Sequence, residues 1–538
     1  MTTKLHFAKI WESNSSLVPN EPALVNDNKT VDWRSFDELS SKLASYLIKM
    51  GLGEDSKVGI YMQNCNEYMI AQFAAFKIGA VPINVNYRYK KDELIYLFDN
   101  SDAEAIIFQS NFHQQILLIQ NDLPKVKAFV ETSQNDFNKE STFDSLENIM
   151  QTFSPLDHQD RSEDEIYMIY TGGTTGMPKG VMYKQGGFVT SMLKTLKTMG
   201  FSVPKEIDGL PDEIMKLKEI NALPKSLVAC PLMHGTGMWL GAFLPLLTGG
   251  SVITVPNSSF DPDEIWKVVQ QQKVTSLVIV GDAFAKPLLE SLQNSKNRNE
   301  MYDISSLLLI ISSGVMWSHE VKQELLNYQD MILIDAMGSS EGGMGSSITS
   351  RNMQSNTAQF KLNPGVIILD EDNNLVTPGS KTIGKIGTSG LVPEGYYKDP
   401  IKSAETFREF EGVRYSFPGD FAQYNSDGTI KLLGRGSNCI NTAGEKVYPE
   451  EVEEAIKKHP NVVDCLVVGV TDKKFGERVA AVASLTKDSF LEEAELIDFV
   501  KKIISSYKVP KTIIFRNKIE RAPNGKANYD WAKAEIKK

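Results

Sequence analysis

The sequence predicts an α/β fold: a large N-terminal domain of layered α/β sheets, a small β subdomain, and a small α+β domain at the C-terminus. Three observations lead there. Over roughly the first 340 residues, short apolar runs alternate with helical periodicity, the pattern of an open and largely parallel sheet. Past residue 360 the texture changes to short strands and turns, such as Val366 to Leu369 and Thr382 to Thr388. At 538 residues the chain is also too long for a single core.

In chain order, residues 31–50 read as a helix with Phe36, Leu39, Leu43, Leu47 and Ile48 on one face. KVGIYM (Lys57 to Met62) reads as a strand, Glu67 to Ile78 as an apolar helix, and AVPINV (Ala80 to Val85) as a strand. Helix Lys91 to Phe98 and strand Ala103 to Phe108 continue the alternation, and Ile166 to Ile169 is a short buried strand. The polar segment Phe201 to Pro224 reads as a surface loop with some helix. Strand Leu227 to Cys230, strand Ser251 to Val255, helix Pro262 to Gln271 and strand Ser276 to Val280 follow. Strands Leu307 to Ile311 and Met331 to Asp335 both end in small residues, at the side where open α/β sheets bind ligands. A helix opened by Pro449, strands Val462 to Val470 and Arg478 to Ser484, a helix near Ala494 to Ser505 and strand Thr512 to Phe515 make up the last domain.

Composition narrows the function. A net charge of −11 argues against nucleic acid as the main partner. Cys65, Cys230, Cys439 and Cys465 lie far apart, which gives neither a zinc pattern nor a disulfide framework and suits the reducing cytoplasm. The N-terminus lacks the apolar core of a signal peptide, and no run reaches the ~18 apolar residues of a spanning helix. The oligomeric state is not legible, and a homodimer is admissible.

The most informative stretch is YTGGTTGMPKG, Tyr170 to Gly180. Glycines let backbone N–H groups turn towards an anion, threonine hydroxyls add donors, and Lys179 adds charge, which together suit phosphate. A Walker loop needs Ser or Thr after the lysine, and Gly180 stands there instead. Surface turns use the same residues, so the loop alone leaves both readings open. The same holds elsewhere. Glu341, after Gly338-Ser339-Ser340, is equally a helix cap or an acidic ligand. A lone His234 in PLMHGTGMWLG is most often structural, Gly419-Asp420 is ordinary turn chemistry, and a tail lysine such as Lys526 is usually solvated.

Taken together, these strings resemble the acyl-adenylate-forming enzymes, and YTGGTTGMPKG, SSGVMW and CINTAGEKVYPEEVE resemble the acyl-CoA synthetases among them. The resemblance spans nearly the whole chain. It implies an ATP-dependent acid–thiol ligase that forms an acyl-AMP and then a coenzyme A thioester, from a fatty or other lipid-like carboxylic acid. It further implies ATP, Mg²⁺ and coenzyme A as cofactors, with domains over 1–435 and 436–538. The second is mobile about Asn438, where the family usually has Asp or Lys. A carrier-protein-loading enzyme shares every motif, and a non-catalytic nucleotide-binding regulator is the remaining alternative.

Residue by residue, the resemblance places Thr171, Gly172, Gly173, Thr174, Thr175 and Lys179 on the phosphates. It puts Gly314, Met337, Gly338, Ser339 and Ser340 around the nucleotide, with Met337 where an aromatic residue is usual. Asp420 and Arg435 fall on the ribose, and Phe417 replaces a common Tyr. Thr171 and Glu341 would hold the metal. His234 would line the acid site, with Trp239 as its gate and Met238, Val315, Met316 and Trp317 shaping the pocket. The turn Thr442 to Lys446, including Gly444, would line the thiol passage. Lys526 would bridge the carboxylate and ATP, although the motif's proline is shifted to Pro523.

Overall fold

A computed structural model describes the chain except residues 1–4, 134–141, 172–176, 205–206, 256–259, 443–444, 473–475, 488 and 523–524, and the side chains of 437, 441, 445, 446 and 476. The chain packs as two compact units. One comprises Met1–Gly342, Ile348–Ser355 and Gly390–Arg414. The other comprises Gly343–Ser347, Asn356–Ser389 and Tyr415–Lys538. Among the described residues, no helix is long and apolar enough to cross a membrane.

The first unit holds the predicted parallel sheets. Strands Pro22–Asn26, Ser251–Thr254, Lys225–Val228, Ser276–Ile279, Leu309–Ser313 and Ile332–Ser339 lie side by side in that order, all parallel, with Lys29–Asp32 antiparallel on the outer edge. A second parallel sheet runs Val81–Asn84, Lys57–Tyr61, Ala103–Gln109, Ala128–Thr132, Asp144–Ser145. Every residue of Lys57–Tyr61 is buried, as expected of a strand covered on both faces. Helix Asn66–Lys77 is buried on every side, its polar Asn66, Gln72 and Lys77 included, whereas Trp33–Lys49 keeps one polar face and is capped by Asp32, which accepts from the Ser35 N–H.

An N-terminal helix that the sequence reading did not assign, Phe7–Leu17, completes this core. Its Phe7 ring lies 4.3 Å from that of Phe243 and 6.4 Å from that of Tyr167, on the strand that leads into the glycine-rich motif. Lys77, 2% exposed, is neutralised by Glu12 at 3.1 Å and Asp37 at 2.5 Å.

Two strands differ from the prediction in register. The expected Leu307 to Ile311 forms at Leu309–Ser313, because Leu307 is spent on the core rather than on pairing. The expected Met331 to Asp335 continues to Ser339. The polar segment before Pro224 does contain a helix, Leu210–Glu219, with Pro in its first turn and Asp212 and Glu213 near its positive end.

In the second unit, Gln359–Leu362, Thr429–Arg435, Asp420–Tyr424 and Ile383–Thr388 pair antiparallel in that order, with Val366–Leu369 added to the last. Downstream, Val462–Asp472 and Gly476–Leu485 form a long antiparallel ladder, and Thr512–Phe515 joins it in parallel. Alternation sorts its side chains. Cys465 and Val467 pack with helices Pro449–Lys457 and Glu493–Lys501, while Leu466 and Val468 pack with helix Tyr529–Lys537.

A buried ion pair lies beneath the binding end of the first sheet. Lys322, from helix His319–Tyr328, reaches Asp335 at 3.3 Å; both are almost fully buried, and the ammonium sits 5.2 Å from the Trp317 ring. Burial pushes the Asp335 carboxyl up to about 6 despite that ammonium. Removing one partner strands the other charge in a dry core, so Asp335→Ala should lower the unfolding free energy by ~3–5 kcal/mol in denaturant titrations. The double variant Asp335→Leu/Lys322→Met should recover most of that loss.

Candidate active site

Strands Ile166–Thr171 and Lys179–Lys184 pair antiparallel so that Thr171 stands opposite Lys179. Gly172, Gly173, Thr174 and Thr175, assigned to phosphate from the sequence, lie outside the described residues. At Gly180 the fit is close: a Cβ there would sit 2.5 Å from the Met168 Sδ and 2.8 Å from the Tyr170 ring, so both side chains would have to shift. A third strand, Gly395–Tyr396, pairs with the second, placing Tyr396 opposite Val181.

That third strand brings two contacts to the site. The Lys179 ammonium pairs with Asp399 and lies 5.6 Å from the Tyr396 ring. The pairing holds the Asp399 carboxyl below its usual range. The Tyr396 phenol donates to Glu341 Oε1 at 2.8 Å, and both residues are buried. Strands Ile332–Ser339 and Gly342–Thr349 leave only Ser340 and Glu341 between them. The helix-cap alternative for Glu341 is therefore wrong: an extended chain enters and leaves, with no helix N-terminus to cap. Ser339 Oγ accepts from the Glu341 N–H at 3.2 Å, and the Tyr183 hydroxyl donates to the Ser340 carbonyl at 2.8 Å.

The neighbouring strand ends supply the rest of this face. Gly314 follows Leu309–Ser313 with φ +88, a conformation that favours glycine. Met337 is buried, whereas Gly338 is exposed on the same strand. Trp317 and Met238 are fully buried members of the main core, with Val315 packed against it.

Asn84 connects Tyr170, at the start of the glycine-rich motif, to Met233, the residue before His234. Its side chain donates to the Tyr170 carbonyl (2.8 Å) and the Met233 carbonyl (2.7 Å), and accepts from the Tyr170 N–H (2.7 Å). Thr236–Phe243 forms a π-helix, a rare form concentrated at functional sites. Within it the Trp239 indole N–H donates to the Tyr167 hydroxyl at 2.8 Å. A Cβ at Gly237 would lie 2.3 Å from the Pro231 carbonyl oxygen, so the segment requires glycine there.

In the second unit Asp420 and Arg435 face each other across an antiparallel register, Nε to Oδ1 3.6 Å. Phe417 packs on Gly387, where any Cβ would meet its ring at 2.4 Å. Beside Arg435, Gly434 has φ +100, and a Cβ there would lie 2.1 Å from Glu450 Oε2. Burial, then the charge of Glu453 and more weakly that of Asp420, pushes the Glu450 carboxyl up to about 8. Asn438 ends a short 3₁₀ turn, Gly436–Asn438, and Gly444 lies outside the described residues.

Lys526 is exposed, in a tight turn closed by the Arg521–Ala527 bridge and the bond from the Ala522 N–H to the Lys526 carbonyl. Gly525 has φ +73. Arg521 anchors the turn: it binds both Asp464 oxygens at 2.6 and 2.7 Å and donates to the Gly525 carbonyl at 3.1 Å. Burial opposes ionisation of Asp464, but Lys457 and Arg521 hold its carboxyl below the usual range.

Residues 11–397 match the family described as AMP-binding enzyme, and 451–526 match the AMP-binding enzyme C-terminal domain. The chain belongs to the AMP-binding enzyme family. It is 38% identical to the 3-oxocholest-4-en-26-oate–CoA ligase of Rhodococcus rhodochrous, over 98% of this chain and 95% of that one. It is 37% identical to a medium/long-chain-fatty-acid–CoA/3-oxocholest-4-en-26-oate–CoA ligase of Mycolicibacterium smegmatis, covering 98% and 96%. Its fold is similar to the crystal structure of the anthranilate CoA ligase AuaEII in complex with anthranoyl-AMP (TM-score 0.83, 20% identity, 100% and 98% covered). ATP-bound MatB from Rhodopseudomonas palustris gives a TM-score of 0.80 at 21% identity, with 98% of this chain and 99% of that one covered.

Sequence reasoning missed Asn84, Tyr183, Tyr396, Asp399, Arg521 and Asp464. Each is an ordinary residue in the sequence until the fold brings its partner to it.

Glu450 yields a pH test. A carboxyl whose folded pKa is raised stabilises the fold fully below its unfolded value near 4, and that stabilisation is lost as pH rises through about 8. Chemical denaturation from pH 6 to 9 should therefore show the wild type losing stability relative to Glu450→Gln. Parallel curves for the two would remove Glu450 from the account.

Proposed function

We infer that the chain is an AMP-forming acid–CoA ligase acting on a lipid-like acid, either a medium or long fatty acid or the carboxylated side chain of a steroid. Membership of the AMP-binding enzyme family over both its domains supports the ligase reading, and the full-length relatives support the acid class. One structural observation carries it furthest. A basic and an acidic group, Lys179 and Glu341, are held by one short segment, Tyr396 to Asp399, at the mouth of the glycine-rich motif.

In the first half-reaction a carboxylate oxygen attacks the α-phosphorus of ATP, the bond to pyrophosphate breaks, and an acyl-AMP forms. Thr171, the glycine-rich turn and Lys179 would hold the departing phosphates, with Lys179 exchanging Asp399 for them. The oxygen donors Glu341 and Thr171 suit a hard divalent cation, and bound Mg²⁺ would supply charge neutralisation there. Asp420 has the acceptor chemistry for two ribose hydroxyls, and Arg435 stands opposite to support it. Lys526, on its anchored turn, would balance charge growing on the α-phosphate, an electrostatic and positioning task.

In the second half-reaction the coenzyme A thiol attacks the acyl carbon and AMP leaves. Division of labour between 1–435 and 436–538, hinged near Asn438, belongs to this proposal, because one chain must carry out two chemistries in turn. The free thiols Cys65, Cys230, Cys439 and Cys465, three of them buried, support a reducing cytoplasmic location.

The test is pyrophosphate release and thioester formation against fatty acids of several lengths, aryl acids and steroid acids. Release coupled to thioester with lipid-like acids is expected. Release without thioester would point to a carrier protein as acceptor, and no release with lipid-like acids would reject the acid class. Lys526→Ala should slow acyl-AMP formation by about 10²–10³-fold while leaving thioester formation from supplied acyl-AMP nearly unchanged. Equal loss in both steps would reject its assigned role.

A further inference from the structure

The Ser340–Glu341 turn is gripped by two phenols from adjacent strands of one small sheet. Tyr183, on Lys179–Lys184, donates to the Ser340 carbonyl, and Tyr396, on Gly395–Tyr396, donates to Glu341 Oε1, each at 2.8 Å. Burial, reinforced by the Glu341 charge, pushes the Tyr183 phenol well up, so it remains a donor. Tyr396 is itself fixed: its N–H donates to Ser403 Oγ at 2.8 Å, and its ring centroid lies 5.1 Å from that of Phe407. Tyr396 is 8% exposed and Glu341 6%, so water competes little for their bond.

A carboxylate has two oxygens, and a cation with few protein ligands needs one of them fixed in place. The phenol occupies Oε1 and sets the plane of the group, which leaves Oε2 as the oxygen offered to a cation. The same strand-end segment carries Asp399, the counter-ion of Lys179. Its geometry thus presets both the acidic and the basic member of the site from one piece of backbone.

We propose that Tyr396 is a positioning residue for the Glu341 carboxylate, orienting Oε2 towards the divalent cation that accompanies ATP. This rests on the reading of Glu341 as the cation ligand. Tyr396 touches neither cation nor nucleotide in this role and acts only through Glu341.

The test is Mn²⁺ binding, read by electron paramagnetic resonance with a non-hydrolysable ATP analogue, for wild type, Tyr396→Phe, Glu341→Gln and the double variant. Tyr396→Phe removes one oxygen and keeps the ring, and circular dichroism checks that it folds. It should weaken Mn²⁺ binding at least about tenfold, in the range usual for partners of metal ligands, and raise the half-saturating Mg²⁺ concentration by a similar factor. The KM for the acid should stay within about twofold, because the acid is not bound through Tyr396 or Glu341 in this reading. The double variant should bind no more weakly than Glu341→Gln alone. If Glu341→Gln weakens binding and Tyr396→Phe does not, the proposal is overturned while the ligand reading stands. If the two losses add in full, Tyr396 does not act through Glu341 and the proposal fails. If Glu341→Gln itself leaves Mn²⁺ binding unchanged, the ligand reading falls, and the proposal falls with it.

Discussion

The bond from the Tyr396 phenol to the Glu341 carboxylate joins segments 55 residues apart, and it fixes the turn between strands Ile332–Ser339 and Gly342–Thr349 to the three-stranded sheet. A buried carboxylate without a donor is costly, and one with a donor has a fixed orientation. Here the donor comes from the same three-stranded antiparallel sheet that carries Thr171 and Lys179. Asn84 ties that sheet's first strand to Met233, and the Trp239–Tyr167 bond ties it to the π-helix. The sheet is small, but its backbone ladder makes it stiff. Thr171, Lys179, Tyr396 and the segments bonded to them are thereby held in one frame.

Three cations of the described chain, each buried or nearly so, follow one rule: each is paired with a carboxylate. Lys322 has Asp335, Lys77 has Glu12 and Asp37, and Arg521 has Asp464 in a two-bond fork. Lys322–Asp335 sits under the strand ends that present Gly314 and Met337, and Arg521–Asp464 fixes the turn that presents Lys526. An ion pair of this kind adds little net stability, but it penalises any packing that separates its members. Glu450 differs. It is pressed against Gly434 with acidic neighbours, and burial leaves it a weak acid.

Much of the architecture was legible, because burial writes a period into the chain. The run KVGIYM reads as a strand and forms one at Lys57–Tyr61; of Phe36, Leu39, Leu43, Leu47 and Ile48, expected on one helix face, Phe36, Leu43 and Leu47 are buried while Ile48 is 44% exposed. The register of Leu309–Ser313 was misjudged because an apolar run does not say which residues pair and which plug the core. Helix Phe7–Leu17 went unassigned because its polar residues are themselves buried, Asn14 donating to the Leu246 carbonyl and Glu12 facing Lys77. Of the assigned site residues, Thr171 and Lys179 were brought opposite each other, as were Asp420 and Arg435.

The sequence by itself determined the fold class and the family. Those depend on local patterns: glycine where a Cβ will not fit, apolar periodicity where a face is covered, and acid or base at a strand end. Only the tertiary structure decided how those residues are held. Tyr396, Asp399, Asn84 and Arg521 carry no local signature, since their partners lie far away in the chain. A hydrogen bond between distant segments exists only once the sheets between them have formed, and no window of sequence contains both of its ends.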